Sequence, residues 1–528
     1  MDIINQRAEA VEELIGKPEL LMGIQSVLSR QCDIDQLLCL CAVTDPTAAA
    51  KASAAVSRSG SNSGTETVAA IDKKINLMIG LKHVLDLVGP LHTVLSQAES
   101  SEMLMGIRET LEDPNLVTMM QKIQVVIHDE AKLAKGSAAM KLQRCFAVRK
   151  GLNDLLDTAR TTYCRIVDDI EAKVTQLGEA HGYPMRLGYN ASRGYHIQMT
   201  IQAPSAKGEG KGKKGPAPAK LKPSDLPKTF LRPQITKNTV FFTTLEMINA
   251  DRQSQETLKS ISLMSNIILT DLLLQLRTTI GSLYRLSDGL STLDFLASLA
   301  EFSSQPGFVR PTFGADKLRI VAGRHPILEH LVADREEVIA NDVEAVAHVA
   351  NFNLLTGSNM AGKSTYLKMI ILMQILAQSG GFVPAKEAEF RVCDTIFSRV
   401  GTSDNIECNA STFTLEMKET SYILNNISSN SLVILDELGR GTSTSEGAAI
   451  CWAICEALAK RHSSAFTFLA THFALLPKLE QLNANVKNYH FLSGQEEGDN
   501  PSSVRQTHKL VPGAASLSGL VTNSILFC

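Results

Sequence analysis

No Cys-x-x-Cys pair occurs among the ten cysteines of this 528-residue chain. The closely stepped cysteine ladder of a secreted disulfide framework or a zinc site is missing too, so the thiols read as reduced, in a cytosolic or nuclear setting. Cys451 and Cys455 stand one helical turn apart, but no His or acid joins them at ligand spacing, and they read as core packing. Excess charge of one sign is lacking as well. Lys+Arg number 52 against 55 Asp+Glu, a net charge of −3, so no global field draws nucleic acid or an anionic membrane, and any such contact is local. Long apolar runs are absent: Ile267 to Leu276 is broken by Thr270, Asp271 and Gln275, and the polar start MDIINQRAEAVEE lacks the form of a secretory signal. A soluble chain with no membrane partner is expected, and its length suggests roughly two to four domains.

Residues 1–180 read as helices. Leu152, Leu155, Leu156, Ala159, Tyr163, Ile166, Val167, Ile170 and Val174 recur at three- and four-residue steps, which predicts one buried face on a long helix. The Ala/Ser/Gly-rich segment 44–70 offers too little apolar surface to offset its ordering entropy and is expected to be a disordered loop. At Met185 the period changes to two. Met185, Leu187 and Tyr189 alternate, a turn spans Asn190 to Gly194, and Tyr195, Ile197, Met199 and Ile201 alternate again, which predicts a hairpin. KGEGKGKKGPAPAKLK follows, with Lys207, Lys211, Lys213, Lys214, Lys220 and Lys222 against one glutamate, a local charge of +5. It reads either as a solvated tether or as mobile lysines for nucleic-acid phosphates. Strand-like NTVFFTTLEM leads into a second helical stretch in which Leu258, Ile261, Met264, Ile268, Leu272, Leu276, Ile280 and Leu283 repeat.

Past Ser303 strands and helices alternate. In AHVANFNLLTGSNMAGKSTYLKMIILMQILA, an apolar strand, a glycine-bounded loop and an amphipathic helix succeed one another. Gly357, Ser358, Asn359, Met360, Ala361, Gly362, Lys363, Ser364 and Thr365 are thereby the expected nucleotide-binding stretch. Its two glycines let backbone N–H groups face an anion at a helix N-terminus. Lys363 is expected to reach the β- and γ-phosphates and Ser364 to ligate magnesium, which implies ATP and Mg2+ as cofactors. In SLVILDELGRG, four apolar residues end in Asp436, a candidate magnesium ligand, and Glu437, a candidate for polarising the attacking water. A strand ending in acids is by itself as often merely solvated; its position downstream of Lys363 favours the functional reading. AFTFLATHF brings His472 to the end of another strand, within plausible reach of a γ-phosphate, although a lone histidine is more often structural.

"TGSNMAGKST", "STFTLEMKE", "ILDELGRGTST" and "LATHF", in this order, resemble the MutS family of ABC-type DNA-repair and recombination ATPases. Upstream, "DIINQRAEAVEELI", "LGYNASRGYHIQM" and "GRHPILE" extend the resemblance from Asp2 to about Ala515. Together with "AAICWAICEAL", the motifs are most similar to the meiosis-specific branch, the fourth eukaryotic type. The resemblance implies a multidomain α plus α/β fold. It divides the chain into a helical core and lever (1–180), a β clamp insert (181–245), returning lever helices (246–300), a P-loop ATPase with a mostly parallel sheet (301–515) and a divergent tail (516–528). It also implies that Ser411 completes the nucleotide site of a facing subunit, a paralogous MutS homologue of the fifth eukaryotic type. The implied function is a nuclear, DNA-dependent ATPase, a switch of weak turnover that acts as half of a sliding clamp on branched DNA such as Holliday junctions and promotes crossing over. Ser358 departs from the family's usual proline, and Val338 stands where many members carry an adenine-stacking aromatic. The mismatch-recognition and connector domains have no counterpart here, which argues against mismatch recognition, and the C-terminal helix-turn-helix is absent after HKLVPGAAS, which suggests an incomplete or alternatively terminated chain. Two other readings stay open: a scaffold that holds DNA or its partner without a competent ATP site, and a general mismatch-repair subunit.

Overall fold

The computed structural model describes all residues except 32–33, 35–37, 39–67, 129–144, 183, 191–192, 201–226, 228, 236–238, 333–337, 401–411, 496–503 and 515–528. Residues 44–67 of the Ala/Ser-rich segment, all six lysines of 207–222, Ser411 and the tail thus lie outside the described residues. Two compact units are formed, one from 1–25, 97–106 and 292–528, the other from 26–96 and 107–291.

In chain order, α1 (Asp2–Gly16), α2 (Pro18–Leu28), α3 (Val68–Leu95), α4 (Glu102–Leu111), α5 (Pro114–Val126) and α6 (Asp154–His181) come first. Strands β1 (Met185–Asn190), β2 (Gly194–Thr200), β3 (Leu231–Ile235) and β4 (Thr239–Thr243) follow, then α7 (Leu245–Arg277) and α8 (Ile280–Ser303). In the second unit, α6 starts where the Asn153 side chain accepts the N–H groups of Leu155 and Leu156, and stops at Gly182 in the left-handed conformation. The hairpin register pairs Tyr189 with Tyr195 and Leu187 with Ile197, so alternate side chains turn to one face. There Ile197, Met199, Val240 and Phe242 meet Ile170 and Val174 of α6, and the Phe230 and Phe242 rings stack at 3.9 Å. Each such buried side chain contributes about 2 kcal/mol of transfer free energy. Strand β3, which no alternation announces, makes this a four-stranded sheet of order β1-β2-β4-β3.

Leu152 and Leu155 depart from the expected helix face, being 41% and 68% exposed. Leu152 precedes the N-cap, and in place of these leucines the face buries Arg160, which donates to the Val148 carbonyl at 2.7 Å. Helix α7 is long and apolar enough to cross a membrane by length and composition alone. Here Leu258, Ile261, Leu269, Leu272 and Leu276 are buried, and the helix packs on α6, α3 and α5.

In the first unit the chain beyond α8 forms β5 (Phe308–Val309), β6 (Thr312–Gly314), β7 (Lys317–Gly323), α9 (Pro326–Val332), β8 (Asn341–Val346), β9 (Phe352–Thr356) and α10 (Lys363–Ser379). Then come β10 (Val383–Pro384), β11 (Glu387–Arg391), β12 (Ile396–Arg399), α11 (Thr412–Asn426), β13 (Leu432–Asp436), α12 (Thr444–Arg461), β14 (Phe466–Ala470), the short α13 (Leu479–Leu482), β15 (Val486–Gln495) and β16 (Val504–Pro512). Six strands make one sheet of order β12-β13-β14-β9-β15-β16, parallel except for β16. Every residue of β9, β13 and β14 is buried, because α10 covers one face and α12 the other. Cys451 and Cys455 lie fully buried in the α12-side cluster with their Sγ atoms 4.0 Å apart. A second sheet, β6-β11-β7-β8, is antiparallel except for the β6–β11 pair, a feature that the strand–helix alternation does not announce.

The unit containing this sheet also takes in α1, whereas the sequence reading grouped residues 1–180 together. The reason is packing: the C-cap of α10, Gly380, meets α1 so closely that a Cβ there would lie 2.4 Å from Arg7 Cβ. Helix α1 also anchors the segment ahead of α4. Buried Glu13 accepts N–H groups from Glu99, Ser100 and Ser101, the shortest at 2.7 Å, and pairs with Lys17. Burial pushes its pKa up, but these hydrogen bonds outweigh burial and leave it below the ordinary 4.5. A lowered carboxylate pKa adds stability above the unfolded value, and that stability is lost as pH falls through the folded value. Glu13→Ala is therefore expected to cost about 3 kcal/mol at neutral pH. In denaturant melts the gap between wild type and Glu13→Ala should narrow on acidification below 4.5; a gap independent of pH would contradict this role.

Candidate functional site

Strand β9 ends at Thr356 and α10 begins at Lys363, so residues 357–362 form a loop at the N-terminus of a buried helix. Gly362 has φ 106 and caps α10, a conformation that disfavours any side chain. A Cβ on Gly357 would press on Phe491 at 3.3 Å. The hairpin of β15 and β16 backs the loop: Ser358 Oγ donates to Gln506 Oε1 at 3.2 Å, and His508 Nδ1 lies 3.0 Å from the Ala361 carbonyl. Met360, at φ 64, is 91% exposed.

Lys363 is buried and donates from Nζ to the carbonyls of Gly357 and Ser358, both at 2.9 Å. Burial lowers its pKa, while Glu437 and Asp436 pull it back up. Ser364 Oγ donates to Asp436 Oδ2. Asp436 is 9% exposed, and burial raises its pKa against the opposing hydrogen bond from Ser364. Its Oδ1 is buried with no hydrogen-bond partner. A carboxylate with one oxygen on a hydroxyl and the other unsatisfied fits a hard cation, and Mg2+ needs few protein ligands because it keeps its waters. Among the described residues no group of three His, Cys, Asp or Glu could hold a metal.

Glu437 follows at φ 52, with its N–H donating to the Ala470 carbonyl of β14 at 2.9 Å. Both carboxylate oxygens are engaged: Oε1 accepts from His472 Nε2, and Oε2 from Arg440. Burial lowers the His472 pKa and Lys363 adds to the effect, opposed by the Glu437 contact. The ring is thus held neutral, with its Nε2 proton directed at the carboxylate. These residues meet because β14 lies between β13 and β9, so that all three strands end at the same edge of the parallel sheet.

Beside the loop a cavity of about 300 Å³ is lined by apolar groups including Leu328, Val338, Ile339, Tyr366, Met369 and Phe491, with His325, Asn341 and His508 as polar neighbours. Val338 forms part of its wall, and the Tyr366 and Phe491 rings supply its aromatic surface. Its volume and apolar lining suit a planar heterocycle joined to phosphates at Gly362.

Ser364, Asp436, Glu437 and His472 gather around Lys363, as their motifs anticipate. Ser411 and the lysine segment lie outside the described residues. Gln506, His508, Arg440 and Glu416 had no sequence signal of their own. Glu416, in the "STFTLEMKE" motif, accepts the N–H of Gly439 at 2.8 Å, a contact that no local pattern encodes.

Two family descriptions match the chain: "MutS family domain IV" over residues 151–259 and "MutS domain V" over residues 353–524. "MutS protein homolog 4" of Homo sapiens is 40% identical over 516 residues, 97% of this chain and 51% of that relative. "MutS protein homolog him-14" of Caenorhabditis elegans is 35% identical over 518 residues, 97% of this chain and 56% of the relative. "DNA mismatch repair protein MutS" of Methanosarcina mazei is 31% identical over 519 residues, 98% and 51% respectively. The chain spans about half the length of these relatives. With a matched domain in each of its two compact units and identity spread over nearly its whole length, the chain belongs to the MutS family.

Proposed function

We infer that this chain is an ATP-binding, DNA-handling subunit of meiotic recombination, one half of a MutS-type heterodimeric clamp on branched DNA, acting in the nucleus. The observation that carries the reading is the convergence of Lys363, the Ser364–Asp436 pair and the Glu437–His472 pair at one sheet edge, at the N-terminus of α10. The likeness to "MutS protein homolog 4" in human and mouse supports the choice of branch.

In this reading the cavity beside Val338 takes the adenine and the loop N–H groups take the phosphates. Ser364 and Asp436 would hold Mg2+, which would supply charge neutralisation at the phosphates. Lys363 leaves its carbonyl partners for the β- and γ-phosphate oxygens. Glu437 releases Arg440, orients the attacking water and accepts its proton. Neutral His472 donates its one N–H to Glu437 and keeps the carboxylate aimed. Ser411 completes the nucleotide site of the fifth-type paralogue, and the paralogue completes this one across the dimer. Nucleotide binding favours one conformation of the arms over another, which couples the site to DNA. The lysine segment, which lies in sequence between β2 and β3, supplies phosphate contacts. A general mismatch-repair role is the second reading, favoured by the 31% identity to "DNA mismatch repair protein MutS".

Lys363→Ala is expected to weaken binding of a fluorescent ATP analogue by at least about tenfold, since it removes a charge-assisted phosphate contact. Unchanged affinity would sink the ATP reading. Glu437→Gln should keep nucleotide affinity within about twofold while turnover with the paralogue falls about 100-fold. Equal losses in both would assign Glu437 to binding instead. Replacing the six lysines of 207–222 with Ser should lower the slope of log affinity against log salt for a four-way junction by up to about five. An unaltered slope would leave that segment as a solvated tether.

A further inference from the structure

The turn that follows β13 is gripped from two sides. Gly439 has φ 88, and a Cβ there would lie 2.6 Å from the Gly447 carbonyl in the first turns of α12. On the opposite side the Gly439 N–H donates to Glu416 Oε1 of α11 at 2.8 Å. Two residues on, Gly441 sits so close to α11 that a Cβ would meet Phe413 at 3.1 Å.

Glu416 is 3% exposed, far more enclosed than a carboxylate tolerates without compensation. Arg399, on the neighbouring strand β12, supplies that compensation: its guanidinium lies 3.3 Å from Glu416 Oε1 and 3.2 Å from Glu419 Oε2. The hydrogen bond that Glu416 accepts from the Gly439 N–H, at 2.8 Å, is by contrast short and directional. Immediately before the turn, Glu437 holds φ 52, a strained backbone for a residue with a side chain, and such strain persists only where surrounding contacts over-determine it.

We propose that Glu416 is a positioning residue for Glu437. By holding the Gly439 N–H it fixes the 438–441 turn, and with it the direction in which the Glu437 carboxylate points. The same bond gives α11 a handle on that carboxylate. Glu416 is one turn inside α11, whose first residue, Thr412, directly follows Ser411 in the chain, so a partner subunit pressing on the start of α11 shifts Glu437 through Glu416 and Gly439. The proposal rests on the nucleotide reading of the site and adds to it a route from the subunit interface to the water-orienting group.

Hydrogen–deuterium exchange and turnover on the full chain, the latter with the fifth-type paralogue present, test it together. In Glu416→Ala the amides of 437–442 should exchange about tenfold faster, those of 357–365 should keep their rate, kcat should fall about tenfold, and KM for ATP should hold within about twofold. Glu416→Gln, whose amide oxygen still accepts from Gly439, should fall between Ala and wild type. It carries the comparison if the Ala variant does not fold. Unchanged exchange at 437–442, or unchanged kcat, overturns the proposal. So does a uniform rise in exchange that includes 357–365, since that marks general loosening of the fold. Failure of the nucleotide reading registers separately, as no protection of 357–365 when Mg·ATP is added to the wild-type chain.

Discussion

An aspartate with one satisfied oxygen stands at the centre of the first unit. Asp436 is buried at the end of β13, one oxygen on Ser364 and the other without a partner, with the Lys363 ammonium as its nearby compensating charge. A carboxylate so enclosed is costly unless something cationic shares its surroundings. The arrangement therefore draws the N-terminus of α10 toward β13, across the strand between them. Lys363 feels the same enclosure from the other side, with its pKa lowered by burial and sustained by the two acids. The site and the sheet edge are mutually dependent: without Lys363, Asp436 loses its ammonium, and without Asp436 only Glu437 is left to sustain Lys363.

Around this pair, loops are held by neighbours remote in sequence. Ser358 and Ala361 rest on Gln506 and His508 of β16, and Asn341 of β8 bonds both the His508 carbonyl and the Leu510 N–H. The loop ahead of α10 thus leans on the sheet's one antiparallel strand. The Asp-Glu turn leans on α11 through Glu416 and on α12 through Gly447. Rigid support from several elements is what a site needs if its groups are to meet a ligand without reorganising.

The second unit works by different physics. Its sheet is antiparallel, with one face on α6, and the buried Tyr163–Tyr195 hydroxyl contact at 3.1 Å joins helix and hairpin. Burial, with the Tyr195 hydrogen bond adding to it, pushes the Tyr163 hydroxyl far above its ordinary range, so this contact stays neutral and structural. On the other face Arg193 lies over the Phe241 ring, and Arg186 and Gln198 pair across β1 and β2. The match to MutS family domain IV covers this sheet together with α6.

The amino-acid sequence by itself determined the elements whose burial repeats locally: the hairpin from its period of two, the helices from three- and four-residue steps, and β9, β13 and β14 from short, mainly apolar runs. It also determined which candidate groups those elements carry, because Asp436, Glu437 and His472 stand at or just past strand ends and Lys363 and Ser364 open the helix that a glycine-bounded loop joins to β9. Tertiary structure alone decided the rest. The exposure of Leu155, the burial of Arg160, the antiparallel second sheet, the return of α1 to the sheet unit, and the contacts of Gln506, His508 and Glu416 had no periodic signature. Local patterns report which side of an element is apolar. They do not report the order β13-β14-β9, and that order is what brings Glu437 and His472, 35 residues apart, and Ser364 and Asp436, 72 residues apart, within hydrogen-bonding distance.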